Sequence, residues 1–325
     1  MTYKAVMQSA TPARFLGSYE AAATAPIFPD TLLPNMLGHS RSGALLHRQL
    51  PPACAGLRVS VVIPAKNEAA NLPATLAALA AQTDLQGQPL PLGSFEVIVL
   101  ANNCTDATAE VARWQAQRFP HLVLHVAELR LPAATTHVGY ARRLLMDEAC
   151  TRLEQVGNPR GIIASTDADT RAMPTWLAVL QAEVATGAAA VGGRIRTEIT
   201  EKALLPLRRI QARDTAYRLL CARLEDLLDP NPADPWPRHH QHFGASLALT
   251  AHAYRQVGGL PEVRFLEDET LCQALHRHDL SVQHSPNVEV ITSNRREGRV
   301  EVGLSWQLRE WWQLWLGRSH ERHLP

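Results

Sequence analysis

The stretch GIIASTDADT, Gly161 to Thr170, runs from a short apolar segment into Asp167-Ala168-Asp169, and Pro174 follows, so the chain reads strand, acidic turn, helix. Carboxylates two residues apart at a strand end can share one rim. Hard oxygen ligands of this type hold Mg²⁺ or Mn²⁺, which also grips phosphate oxygens. Such a cation offsets charge developing on a departing diphosphate. The plain alternative is a pair of turn-formers, since a bare D-x-D arises by chance in a chain of this length; its position strengthens it.

Other chemistry-bearing residues also sit at strand ends, where open parallel sheets bind their ligands. VIPAKNEAANL sets Asn67 and Glu68 before a helix, either capping its amides and meeting its dipole or facing a nucleotide base and ribose. LANNCTDAT packs Asn102, Asn103 and Asp106 into a turn and helix start, with the same two readings. No G-x-G-x-x-G follows either strand, which sets a dehydrogenase aside. Gly244-Ala245-Ser246 precedes a strand and either lines an acceptor pocket or is a tight backbone entry. RHHQHF, with His239, His240 and His242, invites a zinc reading, but without Cys or a spaced fourth ligand a solvated loop is favoured. SNRREGR carries Arg295, Arg296 and Arg299; guanidinium forks suit a diphosphate, and the segment reads as a loop closing over a donor rather than a solvated charge run.

These residues are positioned by a βαβαβαβ pattern. The strands are RVSVVIPA, FEVIVLANN, LVLHVA and GIIASTD, and the helices span Ala69–Gln82, Asp106–Arg118 and about His137–Val156. Continuous apolar strands of this kind belong to a parallel sheet covered on both faces. Further on come helices over 175–185 and 202–228, a strand with Gly192-Gly193, the proline-rich loop DPNPADPWPR, HFGASLALT, a helix opened by LEDETL and the strand LSVQHSPNVEVIT. This second half reads as a mixed extension of the same sheet. Residues 1 to about 57 carry scattered prolines without periodicity and read as an extension of short helices and loops laid on the main domain or partly mobile; 58–300 form the main domain and 301–325 a Trp-rich helix.

The 325 residues are 46% hydrophobic, enough for a large core, and Lys+Arg 32 against Asp+Glu 31 gives a formal charge of +1. That balance excludes the field on which nucleic-acid binders depend, so an anionic ligand needs a local site. Five dispersed cysteines without a C-x-x-C pair argue against a disulfide framework or structural zinc and fit a reducing cytoplasm. No signal peptide or membrane-spanning stretch is expected.

VVIPAKNE, LANNCTDAT, GYARRLLMDEA, STDADT, GASLALTAHAYRQVGG and FLEDETL, in this order and spacing over about Arg58 to Arg299, resemble glycosyltransferase family 2. The resemblance implies an α/β GT-A fold, with a nucleotide-binding half and a mixed acceptor-binding half. It also implies a nucleotide-diphosphate-sugar donor, a hydroxyl acceptor and a divalent metal, Mn²⁺ or Mg²⁺. Pro64, Ala65, Asn67 and Glu68 match the family's first nucleotide-contacting loop, and Asp106, with Asn103 beside it, matches the second. Arg142 falls where the family has an arginine near the nucleotide. Asp167 would meet the ribose and metal water, and Asp169 the metal. Asp268 corresponds to the catalytic base, flanked by Glu267 at the acceptor and by Glu269. His284 stands where some relatives place a metal ligand, and Arg296 and Arg299 would close over the donor. Lys66 and Asn102-Asn103-Cys104-Thr105 depart from the usual first loop and D-D-G-S turn.

A sugar hydroxyl is a poor nucleophile, so inverting transfer needs a carboxylate base opposite the diphosphate, and Asp268 fits that need; its plain alternative is a helix opening that complements the dipole. Rivals to a glycosyltransferase are a nucleotidyltransferase, disfavoured because no glycine-rich basic loop follows the first strand, and a non-catalytic nucleotide-sugar-binding protein. Leu304, Leu308, Trp311, Trp312 and Trp315 recur at spacings of three and four, which predicts an amphipathic helix. Its stripe packs on the sheet or at a homodimer interface, or, as the rival, lies peripherally on a membrane.

Overall fold

The computed structural model describes residues 41–197, 205–295 and 304–315. Strands β1 (Val59–Ala65), β2 (Phe95–Asn102), β3 (Leu124–Leu129) and β4 (Ile162–Ser165) alternate with helices α2 (Leu72–Ala80), α3 (Thr108–Arg118) and α4 (Val138–Gln155), preceded by α1 (Arg41–His47). Then come β5 (Thr170–Ala172), α5 (Trp176–Ala185), β6 (Ala190–Thr197), α6 (Leu205–Leu228), β7 (Leu247–Thr250), α7 (Ala251–Gln256), α8 (Glu267–Arg277), β8 (Val282–Thr292) and α9 (Leu304–Trp315).

All eight strands form one sheet in the order β3-β2-β1-β4-β7-β6-β8-β5. β1 pairs in parallel with β2 and β4, and β2 with β3. Beyond β4 the sheet turns mixed: β7 runs antiparallel to β4 and β6, β8 parallel to β6, and β5 antiparallel to β8. This is the parallel half with a mixed extension that the strand pattern predicts.

The alternation of β1 follows from its burial on both faces. Val59, Val61 and Ile63 join Leu72, Leu76, Trp176 and Leu177 on the side of α2 and α5. Val62 faces Leu144, Leu145 and Leu271 on the side of α4 and α8. The chain leaves β1 for β2 and β3, then crosses back to lay β4 on the other side of β1. That reversal opens a crevice at the carboxyl ends of β1 and β4.

α1 lies in the extension expected to lay short helices and loops on the main domain: Leu46 is fully buried in the α4-side core and His47 Nδ1 meets Glu148 at 2.9 Å. One element escaped the sequence pattern. β5, only three residues long, follows β4 through the Asp167-Ala168-Asp169 turn and pairs antiparallel with β8 at the edge of the sheet. The Ser293 N–H donates to the Asp169 carbonyl at 3.2 Å, so the end of β8 abuts that turn.

Candidate active site

The two carboxylates of the β4–β5 turn have different surroundings. Asp167 is more than a third exposed and accepts from Arg142 Nη2 at 2.7 Å. Asp169 is only 9% exposed and lies 3.0 Å from Arg295 Nη2, which also reaches Glu68 at 2.9 Å. Burial pushes the Asp169 carboxyl up from the ordinary aspartate range; Asp167 adds to the rise and Arg295 opposes it. A guanidinium therefore stands where the turn and the first loop both present carboxylates, and this donor set accepts a cation. Two carboxylates suit Mg²⁺ or Mn²⁺ when phosphate and water supply the remaining oxygens.

Arg142 is the centre of the site. It projects from α4, is buried, and pairs through Nη1 with Glu267 and through Nη2 with Asp167. Gly244 makes room for it: a Cβ built there would lie 2.5 Å from Nη1 and 2.7 Å from Nη2. Burial pushes the Glu267 carboxyl up; Arg142 pulls against it, and Asp268 and Asp167 add to the rise. Glu267, expected at the acceptor, is a buried counter-ion of Arg142.

Asp268 occupies the first turn of α8, where the helix dipole favours anions. The Gly244 N–H donates to its Oδ2 at 2.8 Å and the Glu269 N–H to its Oδ1 at 2.8 Å. The preceding Leu266 holds φ +57°, a left-handed conformation that is costly for a bulky residue and aims this turn. Gly244–Ser246 form a short 3₁₀ turn. Ser165 Oγ donates to the Gly244 carbonyl at 2.9 Å, Thr166 Oγ1 to that of Ala245 at 3.0 Å, and Trp176 Nε1 to Ser246 Oγ at 3.2 Å. Ala245 and Ser246 are therefore buried anchors of β7 on β4, and only the Gly244 amide reaches a site carboxylate.

The first two loops lock to each other. Asn67, at φ +55°, accepts the Thr105 N–H at 2.7 Å. Asp106 accepts the Ala69 N–H at 3.1 Å as well as the Thr108 hydroxyl and N–H. Asn103, at φ +50°, exchanges two hydrogen bonds with the backbone of Leu131. Pro64 and Ala65 end β1 at the crevice. Asn67 and Asn103 thus shape the loops, while Glu68 faces Asp169 through Arg295.

The histidines form a buried network rather than the expected solvated loop. His242 Nε2 meets Glu269 at 2.6 Å, its Nδ1 meets His284 Nε2 at 3.2 Å, and His284 Nδ1 meets Asp234 at 2.8 Å. His239 is 5% exposed, and burial lowers it to about 4 and His240 to about 3. With both ring nitrogens engaged, His284 is not brought to Asp169, and among the described residues no three His, Cys, Asp or Glu side chains converge as a ligand set. Arg296 and Arg299 lie outside the described residues. Arg295, named in the sequence only as part of a basic run, reaches Asp169 of the acidic turn and Glu68.

Known proteins place this geometry. The model of glycosyl transferase family 2 matches residues 60–238, more than half of the chain. A mannosyltransferase from Pyrobaculum calidifontis, solved with GDP-Man and Mn²⁺, is 22% identical with a TM-score of 0.49, covering 78% of this chain and 60% of that one. TarS 1–349 from S. aureus, solved with UDP-GlcNAc, is 14% identical with a TM-score of 0.51, covering 75% of this chain and 60% of that one. Glucosyl-3-phosphoglycerate synthase from M. tuberculosis is 19% identical with a TM-score of 0.47, each chain covered to 87%. The chain spans about 60% of the length of the first two structures. None of the curated protein sequences matches it. The likeness to TarS is one of fold, and it agrees with the GT-A arrangement of a parallel half and a mixed half around one crevice. The family match spans β1 to the proline-rich loop, including the Asp167-Ala168-Asp169 turn and Arg142, and the chain belongs to glycosyl transferase family 2.

Proposed function

We propose that the chain transfers a glycosyl group from a nucleotide-diphosphate sugar to a hydroxyl acceptor with inversion. The observation that supports this reading best is the position of Arg142, which ties Asp167 of the donor-side turn to Glu267 beside Asp268. A donor in the crevice between β1 and β4 would place its diphosphate at the Asp167–Asp169 turn and its base and ribose toward the loops of Glu68 and Asp106. Asp167 and Asp169 would hold the divalent cation, which supplies charge neutralisation to the leaving diphosphate. Asp268 takes the acceptor hydroxyl's proton on a carboxylate oxygen. The acceptor oxygen bonds to the anomeric carbon as the bond to the diphosphate oxygen breaks, and the nucleoside diphosphate leaves with the electron pair. The Gly244 and Glu269 amides hold the Asp268 carboxylate in place. Arg142 neutralises Glu267, so the carboxylate neighbouring the base is not a second unpaired charge.

The donor is found by thermal shift with UDP-, GDP- and dTDP-sugars in the presence of Mn²⁺, because a ligand of the folded state raises the melting temperature. Asp268→Asn then tests the mechanism: the amide fills the same space but cannot take the proton. Donor binding should survive and transfer should fall by about 10²–10⁴-fold. Full turnover in the variant removes Asp268 from the reaction, and joint loss of donor binding makes it a structural residue.

A further inference from the structure

Part of the apolar stripe of α9, which the sequence offers to the sheet or a homodimer interface and, as the rival, to a membrane, is used within the protein, on a helix rather than on the sheet. Leu308 and Trp311 are buried against Leu207 of α6, flanked by Ile210 and Trp312. The other end of α6 is different. Tyr217, Leu220, Leu224, Leu227 and Leu228 are exposed by 44%, 70%, 57%, 61% and 77%. Their spacing puts them on one face of a helix of 3.6 residues per turn. Trp236, itself 40% exposed, extends the patch; it follows the helix in sequence and lies under Arg223, whose guanidinium is 4.8 Å from the ring centroid.

A contiguous exposed apolar strip on a single helix marks an interaction surface. The charges around it identify the partner. Arg209 and Arg213, both exposed, continue the same face one and two turns toward the helix start. The carboxylates bordering it, Asp214 and Asp226, are paired with Arg218 and Arg223 at 2.9 Å and 2.6 Å. Glu225 projects away from the strip by the helical repeat. The face is therefore leucine, tyrosine and tryptophan with arginine, bordered by carboxylates that are already paired.

We propose that this face docks on an anionic lipid membrane. The leucines enter the acyl boundary, Tyr217 and Trp236 take the headgroup level, and Arg209 and Arg213 meet lipid phosphates. A second copy fits less well: twofold pairing of two such helices sets arginines against leucines or one another, with no unpaired acidic partner. The docking side also bears on the acceptor. The loop carrying Trp236 contains Asp234, which accepts from the His284 N–H at 2.7 Å and His284 Nδ1 at 2.8 Å, and it runs on to Gly244 at Asp268. A hydroxyl carried on a lipid headgroup is then the acceptor class that meets the site; this extension alone rests on the glycosyltransferase reading.

The test is co-sedimentation of the full chain with vesicles of phosphatidylcholine, with and without phosphatidylglycerol. Binding should favour the anionic vesicles by about 25-fold, two arginines at about fivefold each. Leu220→Gln/Leu224→Gln/Leu227→Gln should abolish it, and Arg209→Gln/Arg213→Gln should reduce the anionic preference to near unity. These exposed positions should leave the melting temperature and nucleotide binding unchanged; if the triple variant unfolds, Leu228→Gln alone should still weaken sedimentation severalfold. Asp268→Asn should sediment like the parent chain, which separates failure of the docking from failure of the transferase reading. The proposal is overturned by no sedimentation, by undiminished sedimentation of the leucine variant, or by a dimer in light scattering that the leucine variant dissolves, which assigns the face to a second copy.

Discussion

Replacing Gly244 by alanine tests whether Arg142 joins the two halves of the site. The new Cβ would sit 2.5 Å from Nη1 and 2.7 Å from Nη2, where ordinary contacts begin at 3.4 Å. The guanidinium must retreat by about 1 Å, against its pairing with Glu267 through Nη1 and with Asp167 through Nη2. Overpacking of this kind costs about 1–3 kcal/mol of stability. A shift of about 1 Å in a positioning group lowers the rate by about 10²-fold, or about 2.7 kcal/mol of barrier. Release of nucleoside diphosphate, followed by a coupled assay, reads the rate, and urea denaturation reads the stability. The cause is isolated by a double-mutant cycle: on an Arg142→Ala background the alanine at 244 meets no guanidinium, and its stability cost should fall below about 0.5 kcal/mol. Equal costs on both backgrounds, or unaltered turnover and stability in the single variant, would refute the reasoning.

Two further outcomes follow from the charges. Arg295 and a divalent cation compete for Asp169, so Arg295→Met should tighten Mn²⁺ binding measured by calorimetry with the nucleotide present, while Asp169→Ala should abolish the Mn²⁺-dependent part of nucleotide binding; equal binding in all three proteins would contradict this placement of the metal. Away from the site, burial alone would raise Glu96, but hydrogen bonds from Arg152 and His125 outweigh it and hold the carboxyl at about 2. A carboxylate depressed in the folded state stabilises above its unfolded pKa, so about 3 kcal/mol should be lost as pH falls from about 4.5 to about 2, and Glu96→Gln should flatten that part of the stability–pH curve.

The parallel half was legible because β1, β2 and β4 are largely apolar runs flanked by helical sequence and buried on both faces. β1, β2 and β4 end within one or two residues of the segments read from sequence. β5 was not legible: three residues, Thr170-Arg171-Ala172, carry no period, and only the antiparallel partner Val290–Thr292 makes them a strand. The bounds of α1 were not legible within an extension expected to hold short helices, because its stability comes from Leu46 in a core built by residues about a hundred positions later.

Within the site, legibility divides by whether a residue's role is local. Asp167, Asp169 and Asp268 stood out in sequence because each lies at a strand end or helix start, and the fold places each at the end of its element, Asp167 beside Arg142, Asp169 beside Arg295 and Asp268 beside Gly244. The pairing of Glu267 was not legible because a buried acid and an exposed one look alike in sequence; only Arg142, 125 positions away, makes the difference. The histidines erred the same way. Read alone, RHHQHF has no ligand spacing and looks solvated, whereas Glu269, His284 and Asp234 arrive from α8, β8 and the proline-rich loop to bury it. Gly244 is the sharpest case, since its sequence context marks a tight turn but not what needs the space. A glycine admits close approach, and the approaching group is the arginine on which both carboxylate clusters depend.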